Sequence, residues 1–469
     1  MKLGPRMRAS ALGGAWLALA LQTSCGPELQ PLMGMPLSGL SKAEYELFKT
    51  GQLAFAKRFV EGEGLGPLFN DFGCGSCHNT PVLGGFSRRT NTRFGRAGEP
   101  FDPLLELGGT VFQFQSTSPS CEEFLPREAD VLVERGTPAL YGFGLIELIP
   151  DSELVKLQAA GPVVRGIVHW VKPLESDEPR AGRFGWKSQI ATLLSFSADA
   201  ALEEMGITNR FLPNENAPNG DLERLALGDA MADPEDRPDR EGYEFIDRVT
   251  HYQRLLAPPP QTPQAGMSGE RVFEASGCAA CHTPSFTTPP SRVDALSKVT
   301  FRPYSNFLLH DMGALGDGIV DGEASERLMR TAPLWGLSSR DAYLHDFASS
   351  GGDFVANVRS AIERHAGEAE YSRGLYRALD EAEQADLFAF LRSLGRAEYD
   401  WDEDQDVDLD DLAAFVAAFD RVSVQVTPDD REAVFDVDRD GALTLRDFRG
   451  LLSALRQSAN RPTERFFAD

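Results

Sequence analysis

A chain of 469 residues carrying a formal net charge of -25, with a pI near 4.7, is longer than one hydrophobic core normally serves. Such acidity argues against nucleic acid or an anionic lipid surface as the main partner. With 42% hydrophobic and 25% charged residues the composition is that of an ordinary folded soluble protein, and two or three domains are expected.

The first 25 residues have the form of an export signal. Lys2, Arg6 and Arg8 precede the apolar run Ala11 to Leu21, which is too short to span a bilayer. A small residue stands before Cys25, the pattern of lipoprotein processing, whereas Gln22 occupies a place where such sites usually carry Leu. A lipid anchor at Cys25 and export alone are therefore both open. No later run of about eighteen apolar residues occurs, so the expected location is the periplasm or cell envelope without a membrane span.

Beyond the leader, Gly26 to Gly39 is rich in Pro, Gly and Met and reads as a flexible stretch. Helical periodicity starts after Ser41, which can cap, with Glu44 placed to close the capping box. The proline cluster from Leu255 to Gly266 reads as an extended internal linker. On either side of it the same pattern recurs: F-x-x-x-G-C-x-x-C-H runs from Phe69 and again from Phe273, each with a proline close behind. The chain therefore reads as a tandem of related units, 42–256 with large insertions and 265–397, followed by a third piece over 400–469. From Asp400 to Asp469 there are eighteen Asp or Glu against eight Arg. Helical patterns dominate, as in Glu381 to Gly395, while strand signals are scattered at 131–136 and 422–426. The fold class expected is mainly α.

In C-x-x-C-H two thiols on one helical turn can add to the two vinyl groups of a haem while the adjacent imidazole takes the iron. Cys74, Cys77 and His78 form one such unit; Cys278, Cys281 and His282 form the other. Zinc pairs of C-x-x-C normally stand about 15–20 residues apart, and a redox dithiol has no need of a following His twice over. Two covalently bound haems c are expected. Their function depends on the sixth coordination position: a second protein ligand suits electron transfer, an open side suits binding of a small oxidant. His169, His251, His310, His345, His365 and several methionines are the remaining ligand candidates. Cys121 stands alone, either buried or reactive.

The acidity of the last piece is concentrated in two twelve-residue loops. Asp400, Asp402, Asp404, Asp406 and Asp411 fall at positions 1, 3, 5, 7 and 12 of the first; Asp436, Asp438, Asp440 and Asp447 fall at 1, 3, 5 and 12 of the second. Gly441 occupies the turn position of the second loop, where the first has Gln405. Val407 and Leu443 supply the apolar eighth position. The closing ligand is Asp instead of Glu, which resembles dockerin modules more than signalling EF-hands. Two calcium ions in a small EF-hand-like domain are expected, mainly structural, with a calcium-dependent protein partner as a further option.

A resemblance joins these parts. Arg135 to Pro150, Gly182 to Gln189, Arg302 to Gly313, Arg330 to Leu337, Tyr343 to Asp346 and Ala361 to Arg373, together with the two haem motifs, resemble the di-haem oxidoreductase family over roughly residues 42–397. Members of that family are often called thiol oxidoreductases. They are related to bacterial di-haem cytochrome c peroxidases and to the di-haem enzyme that matures a tryptophan-derived quinone. The resemblance implies two cytochrome-c-like helical domains with facing haems. Hydrogen peroxide or a similar oxidant would react at the N-terminal one, and a small electron-donor protein or cytochrome would feed the C-terminal one. His365 stands where the peroxidases place a Met ligand, which makes it the candidate distal ligand of the second haem, with Met312 and His310 as rivals. Splitting an O–O bond needs an acid/base group and a cation or dipole. Within the Arg135 segment Glu147 and Arg135 are the candidates, against the plainer readings of helix-start carboxylate and surface ion pair. Arg183, Trp186 and Gln189 are further pocket candidates, and Trp186 is either an electron relay between the haems or core. The function expected is an exported, peroxidase-like di-haem c-type oxidoreductase. The alternatives are a non-enzymatic electron-transfer cytochrome docked through the calcium module, and an oxidase of a protein substrate.

Overall fold

The structure, a computed structural model, describes residues 28–159, 164–419 and 425–460; the leader with Cys25 and most of the 422–426 strand signal lie outside them. Helix α1 (Lys42–Ala56) starts where the capping box demands: Ser41 Oγ accepts from Glu44 N at 3.3 Å and the Glu44 carboxylate accepts from Ser41 N at 2.7 Å. A three-stranded antiparallel sheet follows, with β1 (Ser87–Gly95) in the centre between β2 (Val111–Phe112) and β3 (Val131–Thr137). Next come α2 (Leu193–Met205), whose N-terminus Thr192 caps, and α3 (Phe245–Leu255). The second unit contributes α4 (Ser268–Ala275), α5 (Phe354–Arg364) and α6 (Glu381–Ser393); the tail contributes α7 (Leu409–Phe419) and α8 (Leu445–Ala459).

The two haem-motif units repeat one packing device. In the first, α1 crosses α3 so closely that a Cβ at Gly51 would meet Arg248 O at 2.4 Å. In the second, α4 crosses α6 and a Cβ at Gly269 would meet Asp386 O at 1.9 Å. Each crossing also sets an aromatic ring beside the motif histidine: Phe55 lies 6.0 Å from His78 and Phe273 lies 6.4 Å from His282, centroid to centroid. The units are not independent bodies. The core around Tyr141, Phe184 and Tyr252 takes in Phe301, Phe307 and Trp335 from the second unit.

Three expectations are corrected. Among the described residues helix makes up 38% and strand 12%, so the fold is mixed, not mainly α. The central strand β1 was hidden because its sequence, SRRTNTRFG, has almost no apolar alternation; the ladder to β3 supplies its order. The stretch expected to be flexible is anchored from Leu32 onward, since Leu32, Met33 and Leu37 are buried and Leu37 N donates to Leu255 O at 2.9 Å. The proline segment is extended but no free spacer: Leu256 and Ala257 are fully buried, and Ala257 N donates to Met35 O at 3.0 Å.

The tail has its own apolar cluster around Tyr399, Phe415, Phe435 and Leu451. Tyr399 joins its two loops: its N donates to Val434 O and its hydroxyl to Asp447 O. Asp429 takes the amide and hydroxyl of Ser268 at 2.7 and 2.6 Å at the start of α4, and Arg392 on α6 donates to Glu403 at 2.8 Å. The acidic module thus rests on the two helices that cross beside the second haem motif.

Candidate functional site: two cavities that meet at Trp186

Each C-x-x-C-H unit opens into its own cleft. The N-terminal cleft, about 1580 Å³ counted out to solvent, is lined by Cys74, Cys77 and His78; the C-terminal one, about 1470 Å³, is lined by Cys278, Cys281 and His282. His78 Nδ1 lies 3.2 Å from Gly85 O and His282 Nδ1 lies 2.9 Å from Tyr304 O. A carbonyl can only accept, so Nδ1 carries the proton and Nε2 keeps its lone pair, the tautomer a metal-bound histidine needs. Burial pulls both imidazoles down to about 4, so they are neutral and ready to ligate. The four thiols are free of disulfides, and burial pushes them up to about 11 for Cys278 and about 12 for the others. A reactive dithiol needs the opposite shift. Among the described residues no group close enough to share a metal ion contains a cysteine, and the two motifs face separate clefts, which removes the paired zinc alternative. The residues fit covalent haem in both places.

The two clefts differ in what else they offer. His310, Met312, His345 and His365 all line the C-terminal one. His365 caps the end of α5 with its Nδ1 2.8 Å from Ala361 O, which leaves Nε2 available, and it lies within electrostatic reach of His282. His310 has both ring nitrogens engaged, Nδ1 with Glu368 at 3.0 Å and Nε2 with Asn306 at 3.1 Å. In the N-terminal cleft His78 is the one histidine among the lining residues, and Met205 belongs to the core cluster with Phe59 and Phe69. Its lining includes Gln189, Gln253 and, from α2, Asp199, Glu203 and Glu204. Burial and the mutual repulsion of these carboxylates hold Asp199 up at about 6 and Glu203 up at about 7. Glu204 accepts from the side-chain amides of Asn70 and Asn91, each at 2.9 Å.

Trp186 is the one residue that lines both clefts among those described. Its indole N–H donates to Gly136 O at 2.9 Å, and its ring meets His345 edge to face at 6.3 Å. Of the other residues singled out from the sequence, Arg135 lines the N-terminal cleft but gives its guanidinium to Asp317, with Nε at 2.8 Å. Glu147 lines neither cleft. It pairs with Arg254 at 2.6 Å and accepts from Leu193 N at 2.8 Å, a helix-start role. Arg183 is buried on Asp151 and the carbonyls of Ile146 and Ile149. His169 holds Lys187 O, His251 stacks edge-on against Tyr243, and Cys121 is buried beside Arg224 O. The α2 carboxylates went unnoticed in the sequence, although Asp and Glu at 199 and 203 stand one helical turn apart in an otherwise small and apolar helix.

In the tail, carboxylate oxygens of Asp400, Asp402 and Asp411 come within 4.8 Å of one another, as do those of Asp436, Asp438 and Asp447; Asp406 groups with Asp408 and Asp411. Asp404 and Asp440 are instead turned to backbone amides, Asp406 N and Ala442 N. Asp400 is 0% exposed with neither oxygen on a hydrogen-bonding side chain, and burial first, then Asp411 and Asp404 against Arg396, pushes it up to about 7. Gln405 adopts φ 79°, matching φ 82° at Gly441, so both loops make the same left-handed turn.

A family model described as "Di-haem oxidoreductase, putative peroxidase" matches residues 108–394. No curated protein matches the chain. Similar solved structures include hydrazine synthase of Kuenenia stuttgartiensis, at 14% identity over 83% of this chain and 100% of that one with a TM-score of 0.32. A MauG-like protein associated with microbial copper homeostasis is similar at 15% identity over 78% of this chain and 93% of that one, with a TM-score of 0.33.

Proposed function

The chain belongs to the di-haem oxidoreductase family, and on that premise we propose that it is an exported, peroxidase-like member. Its N-terminal cleft takes hydrogen peroxide or a similar small oxidant, and its C-terminal cleft receives electrons from a small donor protein or cytochrome. The observation that carries this reading is the asymmetry of the clefts: a second imidazole, His365, with a free Nε2 in one, and in the other no second histidine among the lining residues but two carboxylates, Asp199 and Glu203, that burial raises. When bound, haem c supplies one-electron chemistry and, where one face of the iron is open, a place for a small oxidant.

The chain's own residues do the rest. His78 and His282 would hold the irons through their free Nε2 atoms, and His365, lining the same cleft as His282, would offer the second imidazole there. Glu203, held near 7 by burial and Asp199, can give and retake a proton at neutral pH, with Glu204 fixed beside it by two amides. This places the acid/base work on α2 and leaves Glu147 to start that helix. Arg135 acts through Asp317 as part of the wall. Trp186, in contact with both clefts, is the electron relay. The tail binds calcium in its two loops, the buried Asp400 being a carboxylate that a cation would satisfy. Export follows from the leader pattern and from the need to attach haem c outside the cytoplasm, with Cys25 as the point of any lipid anchor.

The test is the absorption and low-temperature EPR spectrum of purified haem-loaded protein, oxidised and half-reduced, before and after peroxide. One high-spin ferric signal that peroxide converts, beside one low-spin signal that it leaves alone, is expected. Two low-spin signals indifferent to peroxide would return the protein to the electron carriers; loss of tryptophan or thiol from an added protein would point to a protein substrate.

A further inference from the structure

We propose that Arg330, with Arg340 on the same wall, binds a carboxylate in the C-terminal cleft, and that this carboxylate is a propionate of the haem seated there. The inference rests on the haem reading above. Arg330 lines the cleft at 7% exposure, and no ion pair reaches it among the described residues. Its Nε donates to Gly185 O at 2.6 Å and one terminal nitrogen to Thr331 O at 3.3 Å, which leaves the other end of the fork with no acceptor among the described residues. Arg340 lines the same cleft with a buried Nε that has no hydrogen-bond partner, its guanidinium 5.8 Å from the Tyr343 ring.

Other buried arginines show what is missing. Arg135 meets Asp317 at 2.6 Å and Arg183 meets Asp151, each a carboxylate supplied by the protein. At Arg330 burial alone acts, pulling the guanidinium down to about 10 with no charge to offset it. An uncompensated buried cation is strongly unfavourable, and a planar guanidinium matches a carboxylate two bonds at a time. A haem enters with two carboxylates, so the cleft lacks anions where its cofactor brings them. The backbone adds a consequence: Arg330 N donates to Trp186 O at 2.8 Å while its side chain holds Gly185. The residue that receives the carboxylate therefore also fixes the segment bearing Trp186.

The experiment measures the midpoint potential of each haem against pH in full-length, haem-loaded wild type, R330Q, R330K and R340Q, with haem per chain counted first. Removing the cation favours the ferric state and frees the carboxylate to protonate. R330Q is expected to shift the C-terminal haem at least tenfold toward ferric at pH 8, about 59 mV for one electron. That shift should shrink as pH falls to 6, and R330K should keep most of the wild-type value. A C-terminal potential and pH slope unchanged in R330Q, with both haems attached, would overturn the proposal. A wild-type potential that moves with chloride or acetate concentration, and stops moving in R330Q, would assign the site to a free anion and overturn the propionate. Should R330Q not accumulate, R330K and R340Q carry the same reading, and a wild-type pH slope in both would count against it. Absence of covalent haem from the wild type would fall on the haem reading instead.

Discussion

The Asp317 carboxylate lies 3.0 Å from the Lys187 ammonium with both side chains 0% exposed, and the same carboxylate takes Arg135 at 2.6 Å. Asp317 comes from the second unit, Arg135 and Lys187 from the first, and Lys187 neighbours Trp186 in the chain. Burial pushes Asp317 up, but the two cations outweigh it and hold it below its ordinary value; burial pulls both cations down. Removing the shared anion leaves two buried positive charges. Asp317→Ala should therefore lose about 3–5 kcal/mol in denaturant unfolding. Asp317→Ala combined with Lys187→Met should lose less than Asp317→Ala alone, and additive losses would show that the pair is not coupled.

The α2 carboxylates give stability a pH dependence of definite sign. Asp199 and Glu203 are held above their unfolded values, so the folded state binds more protons than the unfolded one between pH ~4 and ~7. Their contribution is fully present below pH ~4 and is lost as pH rises through the folded values of about 6 and 7. Glu203→Gln removes the titration. Its unfolding free energy should exceed that of wild type above pH 7, by an amount on the order of 1–3 kcal/mol, and match it near pH 4. Peroxide turnover should fall in the same variant, by about 10²–10⁴-fold. A parallel pH profile in both proteins would contradict the assignment.

How much of this was legible in the sequence differs by feature. The haem motifs carry their chemistry in five consecutive residues, and His365, singled out by resemblance, lines the same cleft as His282. The α1 capping box was local and was found where Ser41 and Glu44 put it. What escaped depends on contacts far apart in sequence. The sequence offers Glu147 as an acid/base candidate, whereas Arg254 on α3, distant in sequence, holds its carboxylate. Strand β1 gains its order from β3, forty residues on, and the proline segment is buried because the N-terminal stretch pairs with it through Met35 and Leu37. Asp199 and Glu203 acquire their raised values from burial among segments far apart in sequence and from neighbouring carboxylates.

Trp186 offers a sharper test of the link between the clefts than either motif. Its ring can be removed while its backbone, which accepts from Arg330 N, stays. Trp186→Leu should retain two haems per chain and both proximal ligands, yet slow electron exchange between the haems at least tenfold in stopped-flow reduction. Trp186→Phe, which keeps an aromatic ring beside His345, should slow it less. Equal rates in all three proteins would leave Trp186 as core, the plainer reading of a buried tryptophan.

The acidic loops can be tested through a position that works against them. Gln405 holds φ 79° where the second loop uses Gly441, and a non-glycine residue there costs about 1–2 kcal/mol against a glycine, partly returned because glycine loses more freedom on folding. Gln405→Gly should therefore stabilise the tail by a net ~0.5–1 kcal/mol and tighten calcium at the first loop. Asp400→Ala should remove calcium there, since this carboxylate is buried and its oxygens find no side chain. Calcium at 100 times its dissociation constant adds about 2.7 kcal/mol to whatever binds it. Calorimetry of the haem-loaded full chain should accordingly show a calcium-dependent rise in the tail's unfolding transition, reversed by chelator, larger in Gln405→Gly and smaller in Asp400→Ala. Because Asp429 caps α4 and Glu403 holds Arg392 on α6, the same chelation should also loosen the second haem unit, seen as faster amide exchange in those two helices. Exchange there that ignores calcium would mean the tail rests on the haem unit without supporting it.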